Sequence, residues 1–298
     1  MLDQREQAQL SQAATRCAYW VERRVPGFLL GTRRPPRNVA DVRPLAELLL
    51  ILRVLTADRV PAVHRAFAAG IGAHIRPAVG TLTGAVDWAA VRPDPSGWSV
   101  GMALAMCVPL AEALTGEPLP AHEPALATIR ACAAAPNAPA DVLYASDVAG
   151  LSDHGEMMSL AVEREVADLS GGRLTRSSAL YHLTHYLLYA TDAGRRPGHW
   201  DPATTDRLSA ALPALAAARL DRADHDLAAE LLLAHAWISP DPAAAQLDRL
   251  AAAVQPDGHV PQYAPAVGPK RTFLTSYHPV LVTLAALAVS THDILSSF

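Results

Sequence analysis

The sequence has few cysteines, few aromatic residues and no strong excess of charge of either sign. Among 298 positions there are three cysteines and 5% aromatic residues, and the formal net charge is −4. Cys17, Cys107 and Cys132 are too few and too far apart for a disulfide framework or a Cys-x-x-Cys metal site, which indicates a reducing cytoplasm. A near-neutral balance argues against nucleic acid as the main partner, because phosphate binding depends on clustered Lys and Arg.

Targeting, membrane and nucleotide-binding signals are also missing. The first residues lack the basic-then-apolar order of a signal peptide. The longest apolar run, at 45–55, is interrupted by Glu47 and Arg53 and is too short to span a bilayer. No P-loop, strand-associated GxGxxG or GxSxG elbow occurs. We therefore predict a soluble cytoplasmic protein with no nucleotide cofactor and no membrane contact.

What the sequence has instead is alanine, leucine and helical periodicity. Alternating apolar and polar runs are almost absent, so the strand signal is weak and the fold class is predicted to be all-α. Pro- and Gly-containing breaks separate about a dozen periodic segments. The predicted helices are 3–24, 39–56, 58–75, 98–115, 122–135, 139–149, 152–169, 177–191, 202–219, 223–238, 240–254 and 277–295. Because the breaks are short and evenly spread, we expect a single domain over 1–298.

The predicted helices are of two kinds. Segments such as 102–114 and 280–289 are apolar on nearly every face, whereas 202–220 is apolar on one side only. A helix that is apolar on every face is buried between others. The alternation of the two kinds therefore predicts paired helices in two layers, with an inner set wrapped by an outer set.

One segment resembles the repeat unit of the α/α-toroid superfamily, which includes terpenoid cyclases and protein prenyltransferase β subunits. The segment is QLDRLAAAVQPDGHVPQYAP at 246–265 followed by SYHPVLVTLAALA at 276–288. In that superfamily a Gln-x-x-Gly turn joins an outer helix to an inner one, and Gln255, Asp257 and Gly258 match the turn. His259 and Val260 stand where an aromatic residue usually follows. The resemblance implies an α/α toroid or incomplete barrel; it implies an architecture rather than a reaction.

Four candidate inner helices begin with an acidic or tyrosyl residue beside a histidine. The pairs are Asp153-His154, Tyr181-His182, Asp224-His225 and Tyr277-His278. The toroid resemblance implies that inner helices all begin at the same end, so these pairs would converge on one cavity. In the alternative interpretation the aspartates are helix N-caps and the neighbouring histidines lie on the surface.

The helix predicted at 177–191 carries the most chemistry. His182, His185 and Tyr189 fall on one of its faces, and leucines occupy the other. With Tyr181 nearby, several large rings exposed together would form an apolar patch that soluble proteins generally avoid. We therefore expect this face to line a polar cavity.

The same residues fit either a metal centre or metal-free acid/base chemistry. The candidate metal ligands are His154, His182, His185, His225, His278 and Asp224. Imidazole and carboxylate donors suit Zn, Fe or Mn as divalent ions. The candidate catalytic residues are His182, His185, Asp224, His225, Tyr181 and Tyr277, and the substrate-pocket residues are Tyr189, Trp98 and Asp226. The aspartates near the helix start, Asp224 and Asp226, are expected to be held ionised by the helix dipole.

These patterns favour an enzyme that acts on a small-molecule substrate as a lyase, cyclase or isomerase. An Ala-, Arg- and Pro-rich, Lys-poor composition suggests a high-GC bacterial source. Together with a toroid of this size, it favours the biosynthesis of a specialised metabolite. The competing interpretation is a non-enzymatic helical binding scaffold, in which the histidines and tyrosines lie exposed.

Overall fold

The computed structural model describes residues 2–29, 36–92, 99–170, 177–262 and 273–291, with the backbone alone for 168–170. Within these ranges the protein is all-α, as predicted, and contains no strand. The helices are α1 (Gln4–Arg23), α2 (Val25–Phe28), α3 (Arg43–Leu55), α4 (Ala62–Gly84), α5 (Val100–Thr115), α6 (His122–Ala133), α7 (Ala140–Val148), α8 (Gly155–Ser170), α9 (Ser177–Ala190), α10 (Pro202–Leu220), α11 (His225–Ile238), α12 (Ala244–Ala253) and α13 (Phe273–Ser290). A 3-10 helix, Val39–Asp41, precedes α3.

Several predicted helix boundaries differ from those of the structure. Helix α4 continues across Pro77 to Gly84, past the predicted end at residue 75. Proline removes one backbone hydrogen bond, but Ile75 and Val79 are fully buried on either side of it. Their burial favours continuation of the helix across the proline.

Two of the four histidine pairs do not open their helices. Helix α9 begins at Ser177 and α13 at Phe273, so Tyr181-His182 and Tyr277-His278 lie one turn inside. The other two pairs behave as expected, since Asp153-His154 directly precedes α8 and Asp224 is the N-cap of α11.

The chain divides into two compact units. The first unit comprises Met1–Arg23, Ala57–Arg65 and Gly155–Phe298, and the second comprises Arg24–Thr56 and Ala66–His154. Helices α1 and α8 to α13 belong to the first unit; α2, α3, α5 to α7 and most of α4 belong to the second. The single domain expected from the sequence stays a prediction.

In the first unit α11 is the central helix. It packs on α9, α10 and α13, and α13 packs in turn on α1. Helices α11 and α13 are buried on nearly every face, whereas α10 buries mainly the stripe formed by Leu208, Leu212 and Ala216. Buried and one-sided helices thus occur together, as their apolar patterns predict.

Helix α13 is long and apolar enough to cross a membrane. Its 18 residues have a mean hydropathy of 1.5, and 78% of them are buried within the structure. Burial among other helices is the environment of a core helix in a soluble protein.

A tight turn between α12 and α13 packs closely against α1. The Gln255 N–H donates to the carbonyl of His259 at 2.9 Å, and the Gly258 N–H donates to the carbonyl of Gln255 at 2.9 Å. Gly258 has φ +83°, and a Cβ there would lie 2.0 Å from the carbonyl oxygen of Arg16 on α1. Only glycine combines this backbone conformation with so close an approach. The Gln-x-x-Gly turn is therefore present, while the toroid resemblance itself stays a prediction.

Replacement of Gly258 by alanine is expected to lower the free energy of unfolding by roughly 2–4 kcal/mol, since it adds overpacking to backbone strain. The matched control is Gly116→Ala, because Gly116 also has a positive φ, +71°, but no atom lies within 4 Å of its Cβ position. The control should lose roughly 1 kcal/mol from strain alone. Urea unfolding measures both, and equal losses would contradict the proposed contact with α1.

Candidate functional site

Helices α9, α11 and α13 bring five polar side chains together in the first unit. They are Thr184 and His185 from α9, Asp226 and Glu230 from α11, and His278 from α13, and we refer to them as the polar cluster. Asp226 and Glu230 are four residues apart, which places them on one face of α11, one turn above the other. That face is directed at the polar side chains of both neighbouring helices.

His278 is held between two carboxyl groups. Its Nδ1–H donates to Oδ1 of Asp226 at 2.7 Å, and its Nε2 lies 3.6 Å from Oε1 of Glu230. The other carboxylate oxygen of Asp226 lies 3.5 Å from Nε2 of Gln262. A carboxylate on Nδ1 fixes the orientation of the ring and leaves Nε2 as the atom that exchanges a proton.

Glu230 is the most buried ionisable group of the cluster. Its side chain is 7% exposed, against 20% for His278. Burial raises the pKa of Glu230, the nearby His185 and His278 lower it, Asp226 raises it further and the hydrogen bond from Thr184 lowers it. A glutamate in this setting keeps its proton to a higher pH than an exposed one.

The hydroxyl of Thr184 is compatible with both protonation states of Glu230. It lies 2.6 Å from Oε2 of Glu230 and 2.9 Å from the carbonyl oxygen of Tyr181. When Glu230 is ionised, the hydroxyl donates to the carboxylate. When Glu230 is protonated, the carboxyl group donates to Oγ1 of Thr184 and the hydroxyl turns to donate to the carbonyl of Tyr181. Neither state leaves the buried carboxyl group without a partner.

His185 presents a second imidazole to Glu230. Its Nδ1–H donates to the carbonyl of Tyr181 at 2.9 Å, and its ring centroid lies 3.9 Å from that of Tyr181 and 6.0 Å from that of Tyr189. Since the carbonyl can only accept, Nδ1 carries the proton, and Nε2 is the atom that is left to accept one.

Asp224 and His225 form contacts that stabilise the start of α11. Oδ1 of Asp224 lies 3.5 Å from the Leu227 N–H as the helix cap, and Oδ2 lies 3.5 Å from Nη1 of Arg219. Burial raises the pKa of Asp224, with the backbone hydrogen bond and Arg219 opposing it. The expectation that the helix dipole holds Asp224 ionised stays a prediction. The Nδ1–H of His225 donates to the carbonyl of Pro261 at 2.7 Å.

The predicted pocket tyrosines are mostly buried rings. Tyr277 stacks on Phe273 with the ring centroids 5.4 Å apart, and Phe273 stacks on Trp20 of α1 at 6.4 Å. Tyr277 and Tyr189 are 6% and 4% exposed. Their rings lie beside the histidine rings of α13 and α9, on the side of the apolar core.

Two predicted site residues, His182 and His154, are not part of the polar cluster. His182 is exposed, and within the described ranges no hydrogen bond joins it to the cluster. A step of three residues turns an α-helix by 300°, so His182 and His185 point about 60° apart, and the edge of the buried face passes between them. His154 belongs to the second unit, where its Nδ1 lies 2.6 Å from Oδ1 of Asp147. Trp98 lies outside the described residues.

Sequence reasoning missed Glu230 and Thr184 as site residues. A signal for Glu230 is present, since it is the only charged residue in the run LAAELLLA at 227–234. A charged group inside a helix that is apolar on every face must find polar partners. Thr184 carries no comparable signal, because a threonine hydroxyl often bonds its own helix.

In the part of the chain that the structure describes, no group of three or more His, Cys, Asp or Glu residues is arranged to hold a metal ion. The Nδ1 atoms of His185, His225 and His278 each bond a protein oxygen. The predicted divalent metal stays a prediction.

Comparison with known proteins gives one result. The model of a family described as "Domain of unknown function (DUF6895)" matches residues 14–288. No curated protein and no solved structure matches the chain.

The Glu230→Gln variant is expected to gain stability relative to the native chain as the pH rises above 4.5, the ordinary pKa of glutamate. Because the folded-state pKa is raised, the unfolded chain releases its proton first, and the native chain loses stability until the pH passes the folded-state pKa. Glutamine does not ionise and avoids this loss.

Urea unfolding at about pH 4 and about pH 7 measures the difference. Glu22→Gln, which replaces an exposed carboxylate on α1, is the control. A Glu230→Gln difference that is the same at both pH values would show that burial does not raise this pKa.

Proposed function

We propose that this chain, which belongs to the DUF6895 family, is a small-molecule enzyme that catalyses proton transfer at the polar cluster. The observation that carries the proposal is the position of the His278 imidazole, with Nδ1 on Asp226 at 2.7 Å and Nε2 directed at Glu230 at 3.6 Å. A base that is oriented by one carboxylate and faces a second carboxyl group of raised pKa is suited to acid/base catalysis.

In the proposed mechanism Nε2 of His278 accepts a proton from the substrate. Asp226 holds the imidazole in position and stabilises the imidazolium that forms. Glu230 in its protonated form then delivers a proton to another atom of the substrate, and the imidazolium returns the first proton to the resulting carboxylate. The Thr184 hydroxyl follows the change at Glu230 by reversing its hydrogen bond.

Access to the cluster is from the His278 side. The side chains of His278 and Asp226 are 20% and 19% exposed, whereas Glu230 is 7% exposed. A small molecule that contacts the imidazole therefore also approaches the buried carboxyl group. Removal of a proton at one atom and delivery at another describes an isomerase, a lyase or a cyclase.

The proposal includes a cytoplasmic location and a role in bacterial specialised metabolism. Three cysteines that are buried and free support the location, since an oxidising compartment favours disulfides. The composition and the resemblance of 246–288 to the toroid repeat support the metabolic role. A Zn, Fe or Mn ion bound by the histidines and carboxylates of the cluster is the alternative catalyst, and elemental analysis of the native chain tests it.

A proton-transfer enzyme exchanges a carbon- or heteroatom-bound hydrogen of its substrate with solvent. We expect the native chain, incubated in D2O with a small-molecule extract of high-GC bacteria, to produce molecules that gain one mass unit. Loss of the general base in His278→Gln should slow this exchange by roughly 100-fold or more, and Glu230→Gln should slow it as well. Mass spectrometry measures the exchange at carbon, which persists after transfer back to ordinary water.

His182→Gln is the matched control, since it removes an exposed imidazole outside the cluster. It should leave the exchange unchanged. Exchange that survives in His278→Gln would place the chemistry elsewhere. If the native chain exchanges no molecule while His278→Gln only unfolds at lower urea, the cluster holds the helices together and the chain is a scaffold.

A further inference from the structure

A second polar site lies at the other end of α11. A cavity of about 370 Å³ is enclosed by the end of α11, the start of α12, the end of α13 and Arg59. Its walls are mainly apolar and include Leu232, Ile238, Leu247 and Val289, and the described residues that line it include no carboxylate. Seven residues separate Glu230 from Trp237, or about 10 Å along the helix. The cavity is therefore distinct from the polar cluster.

Three N–H donors beside this cavity have no acceptor in the part of the chain that the structure describes. Nη1 of Arg59 donates to the carbonyl of Ala236 at 2.8 Å, which anchors the guanidinium at the end of α11. Nε and Nη2 of Arg59 and Nε1 of Trp237 are closed to solvent, and no hydrogen-bond partner for them exists among the described residues. The N–H groups on Nε and Nη2 are parallel, and this edge of a guanidinium is the one that binds both oxygens of a carboxylate.

No carboxylate among the described residues pairs with the charge of Arg59. Burial, together with the neighbouring Arg195, lowers its pKa to about 10. A buried cation beside a second cation is unfavourable without an anion. An anionic ligand supplies both the missing charge and the missing acceptors.

The loop after α9 is strained where it meets Arg59. Asp192, Ala193 and Gly194 have φ values of 45°, 56° and 78°, so two residues other than glycine adopt the left-handed conformation. A Cβ on Gly194 would lie 1.9 Å from Nη2 of Arg59 and 2.6 Å from Cδ1 of Trp237. Strain of this kind is retained where surrounding structure imposes it, commonly at ligand sites. Because the donors are closed to solvent, ligand entry includes a shift of this loop or of the Arg59 side chain.

We propose that the cavity binds an organic carboxylate with an apolar body. Its two oxygens accept from Nε and Nη2 of Arg59, one of them also accepts from Nε1 of Trp237, and the apolar part lies against the leucine, isoleucine and valine walls. A carboxylate fits better than a phosphate, because the lining offers only one guanidinium edge for charge and mostly apolar surface around it.

Calorimetric titration tests the proposal with octanoate, benzoate and phenylpropionate as probes. Octanamide, which keeps the tail and removes the charge, and inorganic phosphate, which keeps the charge and removes the tail, are the comparison ligands. At least one carboxylate should bind saturably to the native chain, with octanamide and phosphate binding more weakly. The indole N–H signal of Trp237, assigned with Trp237→Phe, should shift on binding.

Arg59→Gln should weaken binding roughly 10- to 100-fold. Trp237→Phe keeps the ring, removes one donor and should weaken binding by less. Arg222→Gln, at an exposed arginine of the same unit, is the matched control and should bind as the native chain does. If Arg59→Gln fails to fold, the affinity of Trp237→Phe and the shift of the native indole signal still test the proposal.

Four results would overturn the proposal. They are the absence of saturable binding by all three carboxylates, equal binding by Arg59→Gln, binding of octanamide as tight as that of octanoate, and a Trp237 signal that does not respond to a bound carboxylate. Phosphate binding as tight as that of the best carboxylate would replace the proposed ligand class by a simple oxyanion.

Discussion

The first unit depends on the burial of one carboxyl group. Glu230 stands in the otherwise apolar run 227–234 of α11, and removal of its carboxyl group from water is favourable only if other elements supply hydrogen bonds. Thr184 supplies a hydrogen bond from α9, and the imidazole of His278 on α13 lies 3.6 Å from the other oxygen of the carboxyl group. A shift of α9 or α13 by one residue would turn Thr184 or His278 away from the carboxyl group. The carboxyl group therefore selects the register in which the apolar faces of these helices pack.

Helix α11 also separates two chemically different environments. The carboxylates in its first two turns lie beside imidazoles. Its last turn carries an indole and a backbone carbonyl that lie beside a guanidinium. The two environments lie about 10 Å apart along the helix axis.

Local signals in the sequence account for much of the fold and part of the site. Periodicity located every long helix, the aspartate at the start of α11 is the expected cap, and Gly258 marks the turn that touches α1. The helical continuation past Pro77 was not predictable, because it depends on burial of Ile75 and Val79 by other segments.

The site was predicted less well for the same physical reason. A stripe of residues indicates which side chains share a helix face, but the edge of the buried face is set by the neighbouring helices, and it divides His182 from His185. The contact between Arg59 and the end of α11 joins residues 177 positions apart. No local pattern carries such information, since it arises only when the chain has folded.

The hydroxyl of Thr184 has a consequence for how fast the polar cluster can work. Because it is a donor in one protonation state and an acceptor in the other, the transfer of a proton to or from Glu230 requires only a bond rotation at a single oxygen. Side-chain rotations occur within picoseconds to nanoseconds, whereas shifts of packed helices take microseconds to milliseconds. In the proposed mechanism the change of protonation state at Glu230 therefore needs no shift of the packed helices.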